Sequence, residues 1–417
     1  MGTFFAILIV FATSIISFFQ YGSWELPWDF QASPFFFGAL FFFLVISELL
    51  ILAITSSPLQ KAEQNLTPRI LDLFREDPQI VWIHRGILFT ALTLIALLFY
   101  PRPLPVSPFV FVLIGLGIIF DLLHGLIFRI FAYLNPYRVS NMFTKAAEKS
   151  ILQNRETDLC DSLESLSEIS LKALDRSSPS LCNQTLDEMR EIMRVFLEES
   201  KSIALSGQDK QAQASGITDK VSYTLFYFLD RVEIIYRKAL DLGFTHVCSF
   251  IIMLLGKASL YAARCDLSLA SNGIRFIGSF SKNAEEKGFS DISLKGTCTL
   301  LEVSKTIINE IPLNYMDLKD PFFSTVAQLD DIAKESFRKN KEIPIRILIE
   351  PFQDLKRFFQ SPKVASHQDT PIVMKEIDRV ITEWETLDSV MRSFPPMILE
   401  DTDEGNKGIL PNTEINA

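Results

Sequence analysis

The sequence is short of the residues on which most enzyme active sites depend. Its 417 residues include 4 His and 5 Cys, and no two Cys are spaced as Cys-x-x-Cys. Phosphate-binding glycine loops, His-Glu-x-x-His, Gly-x-Ser-x-Gly and calcium-binding loop patterns are also missing. His246 and His367 stand alone, and we expect the first in a core and the second in solvent. The sequence therefore predicts no enzyme activity, no cofactor and no metal.

Positive charge is scarce too, which excludes a basic nucleic-acid-binding protein. The 40 Lys and Arg residues face 50 Asp and Glu, for a net charge of −10. The odd number of Cys, without motif pairing, is typical of a reducing compartment, where we expect them to be small buried apolar residues. They are Cys160, Cys182, Cys248, Cys265 and Cys298.

Hydrophobic residues are plentiful, and they concentrate in the first third of the chain. Mean hydropathy is +0.22, and more than half of the 36 Phe precede residue 135. Four stretches, 3–19, 35–55, 80–100 and 106–128, approach or exceed the roughly 20 residues that cross a bilayer. The first lacks a basic start and a cleavage site, so we expect it to be retained. Residues 1–135 are thus predicted to form a domain of four transmembrane helices.

The loops between these spans predict their orientation. The 21–34 loop contains Glu25 and Asp29 but no Lys or Arg, whereas the 56–79 loop carries Lys61, Arg69 and Arg75. More basic residues follow the fourth span. The positive-inside rule therefore places both termini in the cytoplasm.

Residues 136–394 predict a helical cytoplasmic domain. Apolar residues recur at helical spacing, and no alternating run long enough for a sheet is present. Polar breaks predict a mobile loop at 202–219 and a linker at 361–371, and the acidic segment 395–417 predicts a disordered tail. The apolar stripe of 372–394 contains Trp384, and we expect it to close this domain rather than to dock on another chain.

One helical pattern recurs and suggests stacked helix hairpins. Such hairpins would form an α-solenoid or an irregular bundle, although any amphipathic helix shows similar spacing. The four segments that share the pattern are 166–174, 232–240, 300–308 and 329–337.

The 56–79 loop carries a resemblance to a known family. The segment from Asn65 to Phe74, followed by an acidic-Pro-Gln stretch and a span, resembles the second cytoplasmic loop of a bacterial family of predicted membrane proteins, domain of unknown function 2254. Leu123-His124-Gly125 is similar to the end of that family's fourth span, and Leu166–Leu174 to a later helix. The Ser-Pro step is displaced to Ser178-Pro179, and the expected β-rich segment is not evident. The resemblance implies a divergent member located in the bacterial inner membrane, with no established activity.

The residues of the same loop also predict a structure independently of the family resemblance. Thr67 is a good helix N-cap and Pro68 suits the first helical position, so a short helix is expected to start there. With Arg69 and Arg75 it forms either a lipid-interface helix or a capped connector with snorkelling arginines.

Ionisable residues inside the predicted spans form the second candidate site. All lie on the cytoplasmic half of the spans, where a charge needs a partner. They form either a proton or ion relay or a cluster of salt bridges that fixes the helices. The residues are Glu48, His84, Arg85, Asp121, His124 and Arg129.

Two functions follow from this organisation. The favoured hypothesis is a polytopic inner-membrane protein with a helical cytoplasmic interaction or regulatory module, whose partners are the lipid bilayer and a protein or a second copy. The alternative is an oligomeric channel or transporter for ions or protons that uses the charged residues.

Overall fold

The structure is a computed structural model, and it describes residues 58–98, 124–206, 212–311 and 317–393, with isolated positions 38, 41, 42, 45, 46, 49, 56, 117, 118 and 121. In this part of the chain all regular elements are α-helices, so the predicted all-α class is confirmed. The first predicted span, Glu48 and the predicted tail lie outside the described residues.

The helices that the structure describes before Asn135 form the part that we call the head. They are α1 (58–65), α2 (Ile70–Glu76), α3 (Pro78–Leu98) and α4 (His124–Leu134). The predicted 56–79 loop is therefore largely helical, and α2 begins at Ile70 rather than next to Thr67. The strong start signal belongs to α3 instead: the Asp77 carboxylate accepts a hydrogen bond from the Gln79 amide at 3.0 Å, and Pro78 takes the first helical position.

The remaining helices form the body. They are α5 (Pro136–Leu152), α6 (Glu156–Asp175), α7 (Pro179–Ser206), α8 (Ala212–Asp241), α9 (Thr245–Cys265), α10 (Leu267–Glu286), α11 (Ser290–Glu310), α12 (Lys319–Lys339), α13 (Ile345–Phe359) and α14 (Thr370–Ser393). Each packs on the next helix and on the next but one. This nearest-neighbour pattern is that of an α-solenoid with two layers, the odd-numbered helices in one and the even-numbered helices in the other.

Ion pairs along α6 and α8 show how neighbours in one layer align. Glu156 pairs with Lys220 at 2.9 Å near the starts of the helices, and Asp175 pairs with Lys238 at 2.7 Å near their ends. The two helices are therefore parallel, as stacked hairpins require.

Four hairpin turns among the described residues share one geometry. Each has a residue with positive φ, namely Asn154 (55°), Ser177 (53°), Gly243 (74°) or Gly288 (87°). The following amide then bonds back to the carbonyl five residues earlier, as in a Schellman motif. These bonds are Arg155 N to Ser150 O at 2.9 Å, Ser178 N to Ala173 O at 2.9 Å, Phe244 N to Ala239 O at 2.8 Å and Phe289 N to Ala284 O at 2.9 Å.

The predicted breaks contain more helix and more internal hydrogen bonding than expected. Helix covers 202–206 and 212–219, so most of the predicted mobile loop belongs to α7 and α8. Three residues of the predicted 361–371 linker are buried, namely Val364, which is inaccessible, Asp369, which is 3% exposed, and Thr370, which is 6% exposed. His367 is not solvated as expected, because its side chain is 9% exposed and its Nδ1 accepts the Asp369 amide at 3.2 Å. Part of this polar sequence is therefore hydrogen-bonded internally rather than solvated.

Among the described residues, one helix meets both the length and the hydropathy needed to cross a membrane. It is α9, which lies mostly buried inside the body, as the core helix of a soluble domain would. Four transmembrane helices therefore remain a prediction.

Candidate functional site

A buried carboxylate, that of Asp77, links α3 and α4, the two helices of the head that overlap predicted membrane spans. The Asp77 side chain is 3% exposed and accepts Arg129 Nε at 2.6 Å and the Tyr133 hydroxyl at 3.0 Å. Asp77 caps the start of α3, whereas Arg129 and Tyr133 lie one turn apart on α4. We call these three residues the Asp77 cluster, and they tie the start of α3 to the end of α4.

The buried negative charge of Asp77 is balanced within the Asp77 cluster. The Arg129 guanidinium balances the charge of the buried Asp77 carboxylate, as a buried ion needs. Burial raises the pKa of Tyr133, and the neighbouring Asp77 carboxylate raises it further, so the phenol stays protonated and keeps donating its hydrogen bond. The Tyr133 ring meets Phe74 edge to face, with centroids 5.4 Å apart. Such an arrangement fixes two helices rather than releasing a proton.

The segment before Asp77 is attached to the body. We call residues 58–77 the strap. Arg69 Nη2 lies 2.6 Å from Asp161 Oδ1, and Lys172 Nζ donates to the Glu63 carbonyl at 3.2 Å. Both body residues lie on α6, so the strap runs along α6, which is the first helix of the even-numbered layer.

Apolar contacts reinforce this attachment. The strap contributes four side chains that are at most 5% exposed, and these belong to the same continuous cluster as the body core. One apolar core thus extends from the head into the solenoid. The four residues are Leu59, Ala62, Leu66 and Ile70.

The predicted lipid-interface residues of the loop divide accordingly. Thr67 is buried, and its hydroxyl oxygen accepts the Arg69 amide at 3.4 Å. Arg69 pairs with the body, whereas Pro68 and Arg75 are exposed. The connector interpretation therefore fits Thr67 and Arg69, while Arg75 alone is free to reach a lipid surface.

Three of the predicted intramembrane residues have contacts with groups outside this set. Arg129 pairs with Asp77. Arg85 lies over the Trp82 ring, with Cζ 6.0 Å from its centroid, and His124 meets Phe128 edge to face at 4.8 Å. His84 and Asp121 occupy half-buried helical positions. Glu48 lies outside the described residues.

Asp77 is the residue whose role the sequence pattern did not reveal. It was part of the stretch that resembles the bacterial family, but it lies before the apolar run and so looked like a loop residue. The Asp-Pro step was the available signal, because an N-cap followed by Pro marks a helix start. Its pairing with Arg129, 52 residues away, could not be derived from spacing.

Comparisons with known proteins add little to this description. No protein-family model matches the sequence, and no curated protein does. A circular tandem repeat protein with novel repeat topology and enhanced subunit contact surfaces aligns at TM-score 0.38 and 15% identity, over 78% of this chain and 76% of that one. A structure from the computational design of self-assembling cyclic homooligomers aligns at TM-score 0.30 and 10% identity, over 61% and 98%. At these scores neither similarity bears on fold or function, and the resemblance to the bacterial family stays a prediction.

Proposed function

We propose that this protein is a polytopic inner-membrane protein whose head anchors a helical cytoplasmic scaffold for protein partners. The proposal rests on one observation, the uncovered apolar surface of the head. On α3, Phe89 is 73% and Trp82 68% exposed, and on α4, Phe131 is 65% exposed. Four more apolar side chains of these two helices are at least half exposed, namely Leu88, Leu92, Ile127 and Phe128.

The physical meaning of this surface follows from transfer free energies. Burying one large apolar side chain is worth about 1.5–3 kcal/mol. A soluble protein rarely leaves a contiguous patch of them in water, whereas hydrocarbon solvates such side chains without cost. Since α3 has 21 residues, it is about 30 Å long, which matches the apolar thickness of a bilayer.

The body has the opposite distribution. Its large apolar residues are mostly buried between stacked helices, and its ionic residues pair along the surface. Solenoids of this type expose an extended surface that is suited to binding other proteins. We therefore assign the anchor to the head and the interaction role to the body, without enzyme activity.

Membrane fractionation and topology mapping test this proposal. We expect the full chain to resist an alkaline carbonate wash, a reporter fused after Arg138 to be cytoplasmic, and a cysteine placed in the 21–34 loop to react from outside. A chain that washes off the membrane would contradict the anchor, and labelling of the 21–34 loop only after permeabilisation would contradict the orientation.

The channel alternative has its own measurement. Purified protein in liposomes should carry no proton or ion flux if the scaffold proposal is right. A flux that Glu48→Gln or Asp121→Asn abolishes would replace it with a transport function.

A further inference from the structure

Arg85 interrupts the uncovered face of α3. The described side chains on this face are apolar on both sides of it, with Trp82 before it and Leu88, Phe89 and Leu92 after it, and all five residues are exposed. Under the proposed function this face contacts lipid. A permanently charged group therefore lies on a lipid-facing surface and needs a solvent or a partner there.

The direction of the side chain indicates where its charge lies. Side chains on a helix point toward its N-terminus. Accordingly, the Arg85 guanidinium reaches back to Trp82, with Cζ 6.0 Å from the ring centroid. Trp82 is four residues, or about 6 Å, beyond the start of the helix at Pro78. The charge thus lies near the cytoplasmic boundary of the apolar face, at the depth of lipid headgroups.

Arg129 is the other arginine that the sequence places in a predicted membrane span, and its environment differs from that of Arg85. It is paired with the buried Asp77 carboxylate at 2.6 Å. Among the described residues, the partner that the structure records for Arg85 is an aromatic ring, which holds a guanidinium in place without neutralising it.

We propose that Arg85 and Trp82 form a binding site for the phosphate group of an inner-leaflet phospholipid. The guanidinium donates two parallel hydrogen bonds to phosphate oxygens, a geometry that Arg provides and Lys does not. The Trp82 ring supports the guanidinium from one side and lies in the interfacial zone that Trp favours. This inference rests on the proposed membrane anchor and adds a ligand to it.

Lipid retention measured by native mass spectrometry tests the site. Full-length protein in detergent is incubated with phosphatidylglycerol, with phosphatidylcholine, or with glycerol phosphate, which has the phosphate but no acyl chains. We expect retention of one lipid of either kind and no retention of glycerol phosphate. Arg85→Gln should weaken that retention roughly tenfold, as the loss of a charge-assisted hydrogen bond would. Arg346→Gln, an exposed arginine on α13 of the body, is the matched control and should retain the lipid.

The possible outcomes separate the site from the anchor. If Arg85→Gln inserts into membranes but retains lipid like the wild type, the site is wrong and the anchor stands. If the chain is not membrane-bound at all, the proposed function fails first. A stability loss in Arg85→Gln that Glu48→Gln restores would show that Arg85 pairs with Glu48, and would also overturn the site. Retention of glycerol phosphate equal to that of lipid would assign the site to free phosphate esters instead.

Discussion

Burial of the thiols sets the chemistry of the individual cysteines. Cys182 and Cys248 lie in the core, and burial raises the pKa of each to about 12. Burial likewise raises the pKa of Cys160 and Cys265. Cys298 is exposed on α11. The expectation of small buried residues thus holds for Cys160, Cys182 and Cys248 but is wrong for Cys298.

Thiol labelling should reflect this difference. Because the thiolate is the reactive form, we predict one fast-reacting thiol in the native protein at about pH 8, and slow reaction of the others. Ellman's reagent under native and denaturing conditions measures it. Cys298→Ser should remove the fast phase, whereas Cys182→Ser should leave it intact. A fast phase that survives Cys298→Ser would contradict the prediction.

Asp369 gives the body a defined acid sensitivity. Burial alone would raise the pKa of this carboxyl, but the Leu318 amide and the Lys319 ammonium outweigh burial and lower it. A lowered pKa stabilises the fold above the unfolded value of about 3.9, and this stability is lost as pH falls through the folded value.

Melting of Asp369→Asn measures that contribution. We expect the variant to melt below the wild type at about pH 7, with the difference shrinking as the pH falls below the unfolded value of about 3.9, because the wild-type carboxylate becomes protonated as the pH falls further. Asp230→Asn, at an exposed position on α8, is the control and should melt like the wild type at both pH values. A difference that grows on acidification would mean that Asp369 is not stabilised as the charged form.

At the scale of elements, α14 packs on the body through its predicted apolar stripe as far as Trp384, whereas Leu387 and Met391 farther along the stripe are exposed. Trp384 is 4% exposed and meets Phe337 edge to face at 5.7 Å. Its indole nitrogen donates to Asp330 at 3.0 Å, a contact that periodicity could not reveal. The burial was predictable from spacing, whereas the polar partner depends on which helix lies opposite.

Substitution of Trp384 should separate these two contributions. Trp384→Ala should cost about 3–5 kcal/mol of unfolding free energy in the full chain, as for other large core aromatics. Trp384→Phe keeps an aromatic ring but removes the donor to Asp330 Oδ1, while Lys334 still pairs with Oδ2, so a smaller loss of about 1–3 kcal/mol is expected. Chemical denaturation measures both. Equal losses would mean that the hydrogen bond, rather than the packing, holds α14.

Close contact between α9 and α10 depends on a glycine. A Cβ added at Gly273 would lie 2.1 Å from Ser259 Oγ and 3.2 Å from Ser259 Cβ. We predict that Gly273→Ala destabilises the body by about 1–3 kcal/mol through overpacking, despite the better helix propensity of Ala.

Two variants in the same denaturation assay check that explanation. Adding Ser259→Gly should recover part of the loss, because it removes the opposing side chain. Gly125→Ala, where nothing lies within 4 Å, should not destabilise. A Gly125→Ala loss as large as that of Gly273→Ala would show that the effect is not steric.

The hairpin turns explain why the repeats were only partly predictable. The helical pattern placed its four units on α6, α8, α11 and α12, but α11 belongs to the other layer and α10 is the actual neighbour. Amphipathic spacing cannot separate the layers, because all these helices are amphipathic. The turns are more specific, since each needs a residue that accepts positive φ. Ala239–Phe244 and Ala284–Phe289 share Ala, an acidic residue, Gly and Phe at equivalent positions, which was the better repeat signal.

At the scale of the whole molecule, the helical class and the head–body division could be derived from the sequence, but their attachment could not. Hydropathy separates an apolar head from a polar body, and it treats the segment between two apolar runs as a connector. The strap is more than a connector because it makes tertiary contacts. The Arg69 side chain pairs with Asp161, 92 residues away, and Ile70 is inaccessible to solvent. Neither pairing follows from local spacing.

The free energies expected for these two contacts show which of them holds the strap. Arg69 and Asp161 have side chains 36% and 52% exposed, and such an ion pair contributes about 0.2–1 kcal/mol. Ile70 is fully buried in the cluster that continues into the body, and truncating such a residue costs about 2–5 kcal/mol. Apolar burial, rather than the visible salt bridge, should hold the strap in place.

We therefore predict that Ile70→Ala, although it lies in the head, loosens the first repeat of the body. Hydrogen exchange of the full chain should become faster in the strap and in α6, while α12, several repeats away, keeps wild-type protection, because a solenoid transmits contacts only between neighbours. Leu71→Ala, the adjacent and half-exposed position, is the matched control and should leave exchange unchanged. Arg69→Ala should have a smaller effect than Ile70→Ala. If α6 kept its protection while the strap exchanged freely, the strap would be a passive connector, and head and body would be mechanically independent.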